Sequence, residues 1–534
     1  MRPSPTPLAG AELPASGVRI LSTRAATWEL LRDVLPVVLA TRLVFLGLTL
    51  LMPLWRAAMG VAPLTVSHAT GTPFDVWNRW DARWYDDLAR LGYNLHGPHD
   101  YKNVAFFPLF PLLVRTLHDA LALVGRDVLG LAPKDPFYPP YLVPGMIVAN
   151  LCAVAALSFF YGYVRLDRDR VTARRAVTLL ALSPPSLYTF AAYSESTFLL
   201  CALAFFYALR LKRWWQAGLW GWLAAATRPP GVVLVVPFLM AWAEAHPVAT
   251  HALGGLLRPT RRALAACLRV RLPVHLPRQE RAAAVLALPP QPSLGSTPCR
   301  AARGCQTQGV AALWVWQCPG GTMRRAADLA RGRAPAAPRV LIGHPPAGSD
   351  SARRAALHLL PMALIPLGLG LFMTFLFYVF GDPLWFSRAQ QAWWRTFAPP
   401  WETLYMSVAW PLGDVLRGTI TYWDPIALHD LASAIVGLGV TWLAWQRVPR
   451  VEAVYLWLLW GLILSSPAML PDRLTHEPHH DVLMSLPRML LMMFPLCTYL
   501  AVAVQRRVYP WLAVAFTVSL LVYTGRFLTG GWVA

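Results

Sequence analysis

The chain has 534 residues, 56% of them apolar and only 14% charged, whereas about 25% of the residues of a soluble domain are charged. Its net charge is +21, but 16 Arg and three acidic residues lie within 247–356, so one segment carries most of the excess. These values exclude a string of soluble domains and argue against nucleic acid as a partner. Long uncharged runs recur instead, each able to cross ~30 Å of hydrocarbon as a helix. They predict an all-α, polytopic membrane protein.

About eleven transmembrane helices are expected. Residues 1–33 are predicted to form a cytoplasmic tail, 34–246 a membrane core, and 357–534 a C-terminal transmembrane region. Two long apolar stretches, 176–209 and 214–243, are each expected to cross twice, although one kinked span is the alternative for the second. The predicted single spans are Leu35–Trp55, Tyr141–Val164, Leu357–Phe380, Leu431–Gln446, Ala453–Pro471, Met489–Gln505 and Val508–Gly525.

The distribution of charge predicts the orientation. The short loops 165–175, 210–213, 446–452 and 506–507 together carry 12 basic and three acidic residues. The large loops 56–140, 382–425 and 471–488 carry 13 basic and 15 acidic residues. Because basic residues accumulate in cytoplasmic loops, we expect the short loops inside and the large loops outside.

Segment 247–356 differs from the rest of the chain. It is rich in Arg, Ala and Pro and has few residues able to build a core, which predicts a disordered cytoplasmic insertion. Two alternatives remain open. The charges of the segment contact anionic lipid headgroups, or the segment results from an error in gene prediction. The seven cysteines form no CxxC pair, so the sequence predicts no disulfide framework and no zinc site. No cofactor is expected, and the sequence leaves metal dependence open.

The first outer loop, 56–140, is long and aromatic. On one continuous helix, Trp77, Trp80, Trp84, Leu88 and Leu91 would form a stripe, which predicts a helix lying in the membrane interface. Asp81 would then lie towards the buried side, where a carboxylate needs a partner or a task. Asp86 would point away into solvent. A second interfacial helix is expected at Phe106–Leu123.

Several motifs occur together in one order along the chain. They are Arg42, Trp80-Asp81-Ala82-Arg83-Trp84-Tyr85, Gly92-Tyr93, Ala105-Phe106-Phe107-Pro108-Leu109-Phe110-Pro111, Ser183-Pro184-Pro185-Ser186, Tyr193-Ser194-Glu195-Ser196, Ala226-Thr227-Arg228-Pro229-Pro230-Gly231, Gly381-Asp382-Pro383-Leu384, Ala389-Gln390, Arg488 and Phe494-Pro495-Leu496. In these motifs the chain resembles the PIG-V-type mannosyltransferases, that is, GPI mannosyltransferase II and its bacterial relatives, which have the GT-C fold.

The resemblance implies an integral membrane enzyme that transfers a hexose, expected to be mannose, from a polyprenyl- or dolichyl-phosphate sugar to a lipid-linked or surface acceptor. The site would face the non-cytoplasmic side of a bacterial cell membrane or of the endoplasmic reticulum. Phosphate is a good leaving group, so the main chemical need is one general base for the acceptor hydroxyl. Asp81 is the candidate, and a single displacement would invert the anomeric centre.

The remaining site candidates are substrate-binding residues. Arg228 is predicted to bind the donor phosphate, with an ion pair to Glu195 as an equally weighted alternative. Arg42 and Arg488 are further phosphate candidates, and snorkelling or interhelical pairing is their alternative. Glu195 would orient the acceptor or hold an arginine.

Three substrate-binding candidates come from positions in or near the matching motifs. Trp80 and Tyr85 flank Asp81 and are expected to contact substrate. Asp100 is a second acidic candidate, although it is displaced from the position where the family carries an acid. The segment His476–Asp481 looks like a metal cluster, but a solvated loop is favoured. The rival class is a transporter or flippase of lipid-linked sugars, which predicts mid-span charges and internal repeats that the sequence lacks.

Overall fold

The computed structural model describes residues 23–60, 71–93, 100–129, 140–247, 349–419, 424–469 and 481–533. Within these ranges the chain is helical, and the only β-pairing is one isolated bridge between Arg395 and Ala468. The predicted all-α class is therefore confirmed. The described helices belong to a unit that comprises Met1–Thr250 and Arg353–Ala534.

The first half contains nine α-helices among the described residues. They are α1 Thr23–Asp33, α2 Leu35–Ala58, α3 Asp81–Leu91, α4 Leu109–Leu129, α5 Leu142–Arg165, α6 Arg170–Leu182, α7 Glu195–Arg210, α8 Trp214–Thr227 and α9 Val235–Ala245. Short 3-10 turns connect several of them, at Pro73–Trp77, Asp100–Ala105, Pro184–Thr189 and Pro229–Leu234.

In the second half of the chain, the described residues begin at 349. Its helices are α10 Ser349–Leu359, α11 Leu364–Phe380, α12 Trp385–Arg388, α13 Pro400–Arg417, α14 Asp424–Ala444, α15 Arg450–Leu464, α16 Leu486–Leu490, α17 Pro495–Ala503 and α18 Tyr509–Thr529. Two 3-10 turns, Leu360–Ala363 and Ala389–Trp393, complete it.

Five helical stretches of the described chain are long and apolar enough to cross a membrane, and each coincides with a predicted span. They are Thr27–Ala58, Leu142–Arg165, Ser351–Phe380, Pro425–Ala444 and Tyr509–Thr529. Other predicted crossings are shorter or broken. The run 176–193 divides after Leu182, and the run 489–505 divides between α16 and α17. The total of about eleven spans stays a prediction.

Glycine permits the close contact between α8 and α11. A Cβ atom on Gly368 would lie 2.4 Å from the carbonyl oxygen of Trp222, and one on Gly218 would lie 2.3 Å from that of Pro361. Small residues at such contacts allow apolar helices to approach backbone to backbone. This packing fixes the position of the end of α8, where Thr227 is the last helical residue and Arg228 follows it.

The predicted tryptophan stripe is wrong. Helix α3 begins only at Asp81, and Trp77 belongs to a separate 3-10 turn. The buried face of α3 consists of Ala82, Tyr85, Asp86, Leu88 and Ala89. Asp86 is only 5% exposed and lies on this face. The stripe implied a different face because it counted Trp77 and Trp80, which do not belong to the helix.

A helix predicted at Phe106–Leu123 is present as α4, Leu109–Leu129, with Pro111 in its first turn. Its location in the membrane interface stays a prediction. Helix α13 was not predicted, since the run 382–425 carries charges and prolines that favour a loop. The predicted insertion 247–356 falls almost entirely on 248–348, outside the described residues.

Candidate functional site

Four charged side chains from distant parts of the chain form a continuous cluster. Arg488 donates from Nη1 to Oδ2 of Asp81 at 2.5 Å, and from Nε to Oε1 of Glu195. Arg228 donates to the same Glu195 oxygen. The order Asp81–Arg488–Glu195–Arg228 alternates in sign, so the four residues carry no net charge together.

Helix ends bring these residues together. Asp81 and Glu195 are the first residues of α3 and α7, where the helix dipole favours a negative charge. Arg228 follows the last residue of α8, and Arg488 lies in the short helix α16. Glu195 and Arg488 are buried, and charges taken out of water need partners of opposite sign. The pairing therefore holds four helices in one arrangement.

A cavity of about 370 Å³ opens beside this cluster, within the size range of small-ligand sites. Asp81, Arg228 and Arg488 line it, together with polar and aromatic groups from both halves of the chain. These include Tyr85, Phe106, Phe107, Thr227, Phe386, Ser387, Gln390, Trp393, Arg395, Ser466, Ser485 and Trp532. The side chain of Asp81 is 16% exposed, so this carboxylate is accessible from the cavity.

Arg395 adds a third guanidinium to the cavity. It donates to the backbone carbonyl oxygens of Ser466 and Met484, both at 2.7 Å. Among the described residues no carboxylate lies within ion-pair distance of Arg395, although Asp481 and Asp81 attract its charge from further away. Burial lowers the pKa of Arg395 to about 10, so its side chain stays charged at neutral pH. The five charged residues together therefore carry a net positive charge.

Strained backbone precedes three of these residues. Trp80, Trp394 and Ser485 have φ angles of 52°, 56° and 70°, a region that non-glycine residues rarely adopt. Trp80 and Trp394 stand directly before Asp81 and Arg395, and Ser485 precedes the short helix that carries Arg488. Such strain is retained where the surroundings impose it, and it accumulates at functional sites.

Tyrosines support the charged cluster. The Tyr85 hydroxyl donates to Oγ of Ser194 at 2.6 Å, next to Glu195, and burial raises the pKa of Tyr85 so that the donor keeps its proton. The guanidinium carbon of Arg488 lies 4.9 Å from the ring centre of Tyr193 and 5.3 Å from that of Tyr188. These rings favour a cation at that position.

The other predicted site residues have different surroundings. Arg42 lies away from the cluster and bonds Asn150 and Thr189 at 3.0 Å each, the interhelical pairing given as its alternative. Trp80 is 38% exposed and contacts Trp532 edge to face at 4.7 Å between ring centres. The side chain of Asp100 and residues 476–480 of the His476–Asp481 segment lie outside the described part.

From the sequence, Arg395 is assigned with its neighbouring tryptophans to the headgroup layer, with stacking on sugar rings as the alternative, and it is not predicted to be a phosphate-binding charge of the site. The residue stands beside Trp393 and Trp394, which are typical of a headgroup-level segment. The one available signal was its position five residues after Gln390, a motif residue that also lines the cavity. Its convergence with Asp81 depends on long-range packing that no local pattern encodes.

Comparison with protein families gives a match over part of the chain. Residues 41–248 match the family model described as Mannosyltransferase (PIG-V). With the apolar helices, this match indicates a membrane glycosyltransferase and confirms the resemblance to the PIG-V mannosyltransferases. The matched range contains Asp81, Glu195 and Arg228, whereas Arg395 and Arg488 follow it. No curated protein and no solved structure matches the chain significantly.

Proposed function

We propose that the protein transfers a mannosyl unit from a polyprenyl- or dolichyl-phosphate mannose to a hydroxyl group of a glycolipid or surface acceptor. The observation that carries this proposal is the cavity in which the Asp81 carboxylate faces the same space as three guanidinium groups. A base and an anion-binding surface side by side are what a sugar–phosphate donor and a hydroxyl acceptor require.

Asp81 is the proposed general base. One of its oxygens is held by Arg488, which orients the carboxylate towards the cavity. The acceptor oxygen attacks the anomeric carbon as its proton passes to Asp81, and the bond between that carbon and the phosphate oxygen breaks. The lipid phosphate leaves with the bonding electrons. One displacement by one base inverts the anomeric centre, so a β-linked donor gives an α-linked product.

Arg395 and Arg228 are proposed to bind the donor phosphate. Negative charge grows on the phosphate as the bond breaks, and fixed guanidinium groups stabilise such charge in a site with little water. Arg228 and Arg488 are already ion-paired with Glu195 and Asp81. Among the described residues no carboxylate lies within ion-pair distance of Arg395, so its guanidinium is the cation most available to the phosphate. In this arrangement Glu195 positions the two arginines.

The prenyl chain of the donor needs an apolar path to the bilayer. Phe106, Phe107 and Phe386 form one wall of the cavity, and Leu462 and Ile463 of α15 form part of another. Leu462 is 39% exposed, so this wall continues to the lipid-facing surface. A donor placed with its phosphate at Arg395 can therefore extend its tail along apolar side chains.

The experiment is a reconstituted transfer assay. Purified protein is incubated with labelled polyprenyl-phosphate mannose and a set of glycolipid acceptors, and products are analysed by mass and by sensitivity to α-mannosidase. We expect a hexose-extended, α-mannosidase-sensitive product. Movement of intact donor across vesicle membranes without any product would contradict the proposal and favour a flippase.

A further inference from the structure

A second cavity, of about 480 Å³, lies far from the Asp81 site. We call it the basic cavity, and it is lined by Arg32, Asp33, Arg170, Arg174, Arg175 and Tyr509. Tyr509 begins α18, whereas Trp532, just beyond the other end of α18, lines the Asp81 cavity. Helix α18 has 21 residues, which makes it about 30 Å long. The two cavities therefore lie at opposite ends of a helix long enough to cross a bilayer.

Positive charge dominates the basic cavity because its one acidic lining residue is already engaged. Asp33 accepts hydrogen bonds from Arg170 at 2.6 and 3.0 Å and from the Tyr161 hydroxyl at 2.8 Å. The guanidinium of Arg175 lies 4.6 Å from the ring centre of Tyr509. For Arg32 and Arg174 no ion pair is recorded within the described ranges of the chain.

Neighbouring acids do not neutralise this charge. Glu29 is held by Arg165 at 2.9 Å. Asp169 keeps its charge while it caps α6 by accepting a hydrogen bond from the backbone nitrogen of Thr172, but it does not line the cavity. Basic residues that only set the orientation of a membrane protein can spread over an exposed loop. Here four guanidinium groups line one concave site. Arg170 is paired with Asp33, and a bound anion would relieve the repulsion among the other three.

We propose that the basic cavity binds a phosphate-bearing anion on the membrane face opposite the Asp81 site. Guanidinium groups form paired, charge-assisted hydrogen bonds with phosphate oxygens. The headgroup of an anionic phospholipid fits the location, because the cavity adjoins the first turn of a membrane-spanning helix and basic pockets between such helices bind these headgroups. A soluble phosphate compound offers the same chemistry from the aqueous side.

The test compares retention of phosphatidylglycerol and phosphatidylcholine by the full-length purified protein, measured by native mass spectrometry. The cavity variant is Arg32→Gln with Arg174→Gln, which spares the Arg170–Asp33 pair. The control variant is Arg213→Gln with Arg450→Gln, two exposed arginines that do not line the cavity. Each basic residue near a membrane surface is worth about 1 kcal/mol, or about a fivefold change in affinity.

We expect the cavity variant to retain phosphatidylglycerol about 25-fold less well than the control, with little retention of phosphatidylcholine by either. A second arm measures whether inorganic phosphate raises the melting temperature in detergent. If inorganic phosphate raises the melting temperature of the control variant but not of the cavity variant, and neither retains phosphatidylglycerol selectively, the cavity binds a soluble phosphate compound and the proposal is supported. Equal phosphatidylglycerol retention by both variants together with no phosphate effect would overturn it. Neither readout depends on sugar transfer.

Discussion

Arg488 donates to Asp81 at 2.5 Å although the two residues are 407 positions apart. The contact joins the first residue of α3 to the C-terminal part of the chain, and Arg488 also contacts Glu195 at the start of α7. One arginine thus positions the proposed base and the acid that holds Arg228. The proposed catalytic arrangement therefore depends on how residues from both halves of the chain pack together.

Replacing Arg488 with Gln should destabilise the protein by about 3–5 kcal/mol, because two acidic residues lose their shared partner in a buried site. Arg488→Lys keeps the charge, but its ammonium group reaches only one carboxylate at a time. We expect this variant to be more stable than Arg488→Gln and to transfer sugar at a reduced rate. Melting temperature and transfer rate are the measurements. The control Arg126→Gln removes a cation that is 66% exposed. An equal melting temperature for Arg488→Gln and Arg126→Gln would show that the cluster does not hold the helices together.

Arg395→Gln should weaken donor binding about 10- to 100-fold, since a charge-assisted hydrogen bond contributes ~1.5–3 kcal/mol. The variant should fold but lose about 1–3 kcal/mol of stability, because the carbonyl oxygens of Ser466 and Met484 lose their guanidinium donors, so affinity is measured on folded protein. Arg388→Gln is a matched control in the same segment, with a side chain that is 63% exposed. Donor affinity is measured by titration with labelled polyprenyl-phosphate mannose. Unchanged affinity for Arg395→Gln would move the phosphate site elsewhere.

Asp86→Asn should lower stability by about 1–3 kcal/mol, contrary to what the predicted tryptophan stripe implied. The carboxylate is 3% exposed and pairs with Arg90 at 3.3 Å. Transfer per folded molecule should change little, because Asp86 does not line the cavity. Thermal unfolding and specific activity together check this expectation. If Asp86→Asn has the melting temperature of the wild type, the Asp86 carboxylate is exposed to solvent and the buried position is contradicted.

Gly368→Ala should cost about 1–3 kcal/mol, because the added Cβ atom would lie 2.4 Å from the carbonyl oxygen of Trp222. The matched control is Gly370→Ala two residues along α11, where no atom lies within 4 Å of the added Cβ. The control should be neutral or slightly stabilising. The measurement is the melting temperature of both variants. Equal melting temperatures would contradict close packing of α8 on α11.

The loop orientation predicted from the charge distribution determines which introduced cysteines a membrane-impermeant reagent can reach. Ser194 is fully buried, so a probe there would be shielded, whereas Leu91 is 69% exposed and Arg213 is exposed. In a background without native cysteines, Leu91→Cys should react from the outside and Arg213→Cys only from the cytoplasm. The reverse pattern in sealed cells or vesicles would invert the topology and place the Asp81 site inside.

Much of this structure follows from the sequence because apolar run length is a strong signal. The five long spans come from uncharged runs, and Asp81, Glu195, Arg228 and Arg488 come from the resemblance in ordered motifs. The face of α3 could not be predicted, since the helix start at Asp81 depends on the strained turn at Trp80. Arg395 was missed for a related reason. Its position depends on backbone carbonyl groups of Ser466 and Met484, far away in sequence.

The central claim is that Asp81 removes a proton from the acceptor. Asp81→Asn preserves size and a hydrogen-bond acceptor for Arg488 but cannot take the proton, and general-base catalysis is typically worth ~10²–10⁴-fold in rate. The control Asp119→Asn removes one charge from α4, where the side chain is 55% exposed. Initial transfer rates and donor affinities of both purified variants are the decisive measurement. We predict a rate loss of at least about 100-fold for Asp81→Asn alone, with donor affinity retained. A near-normal rate for Asp81→Asn, or equal losses in both variants, would contradict the assignment.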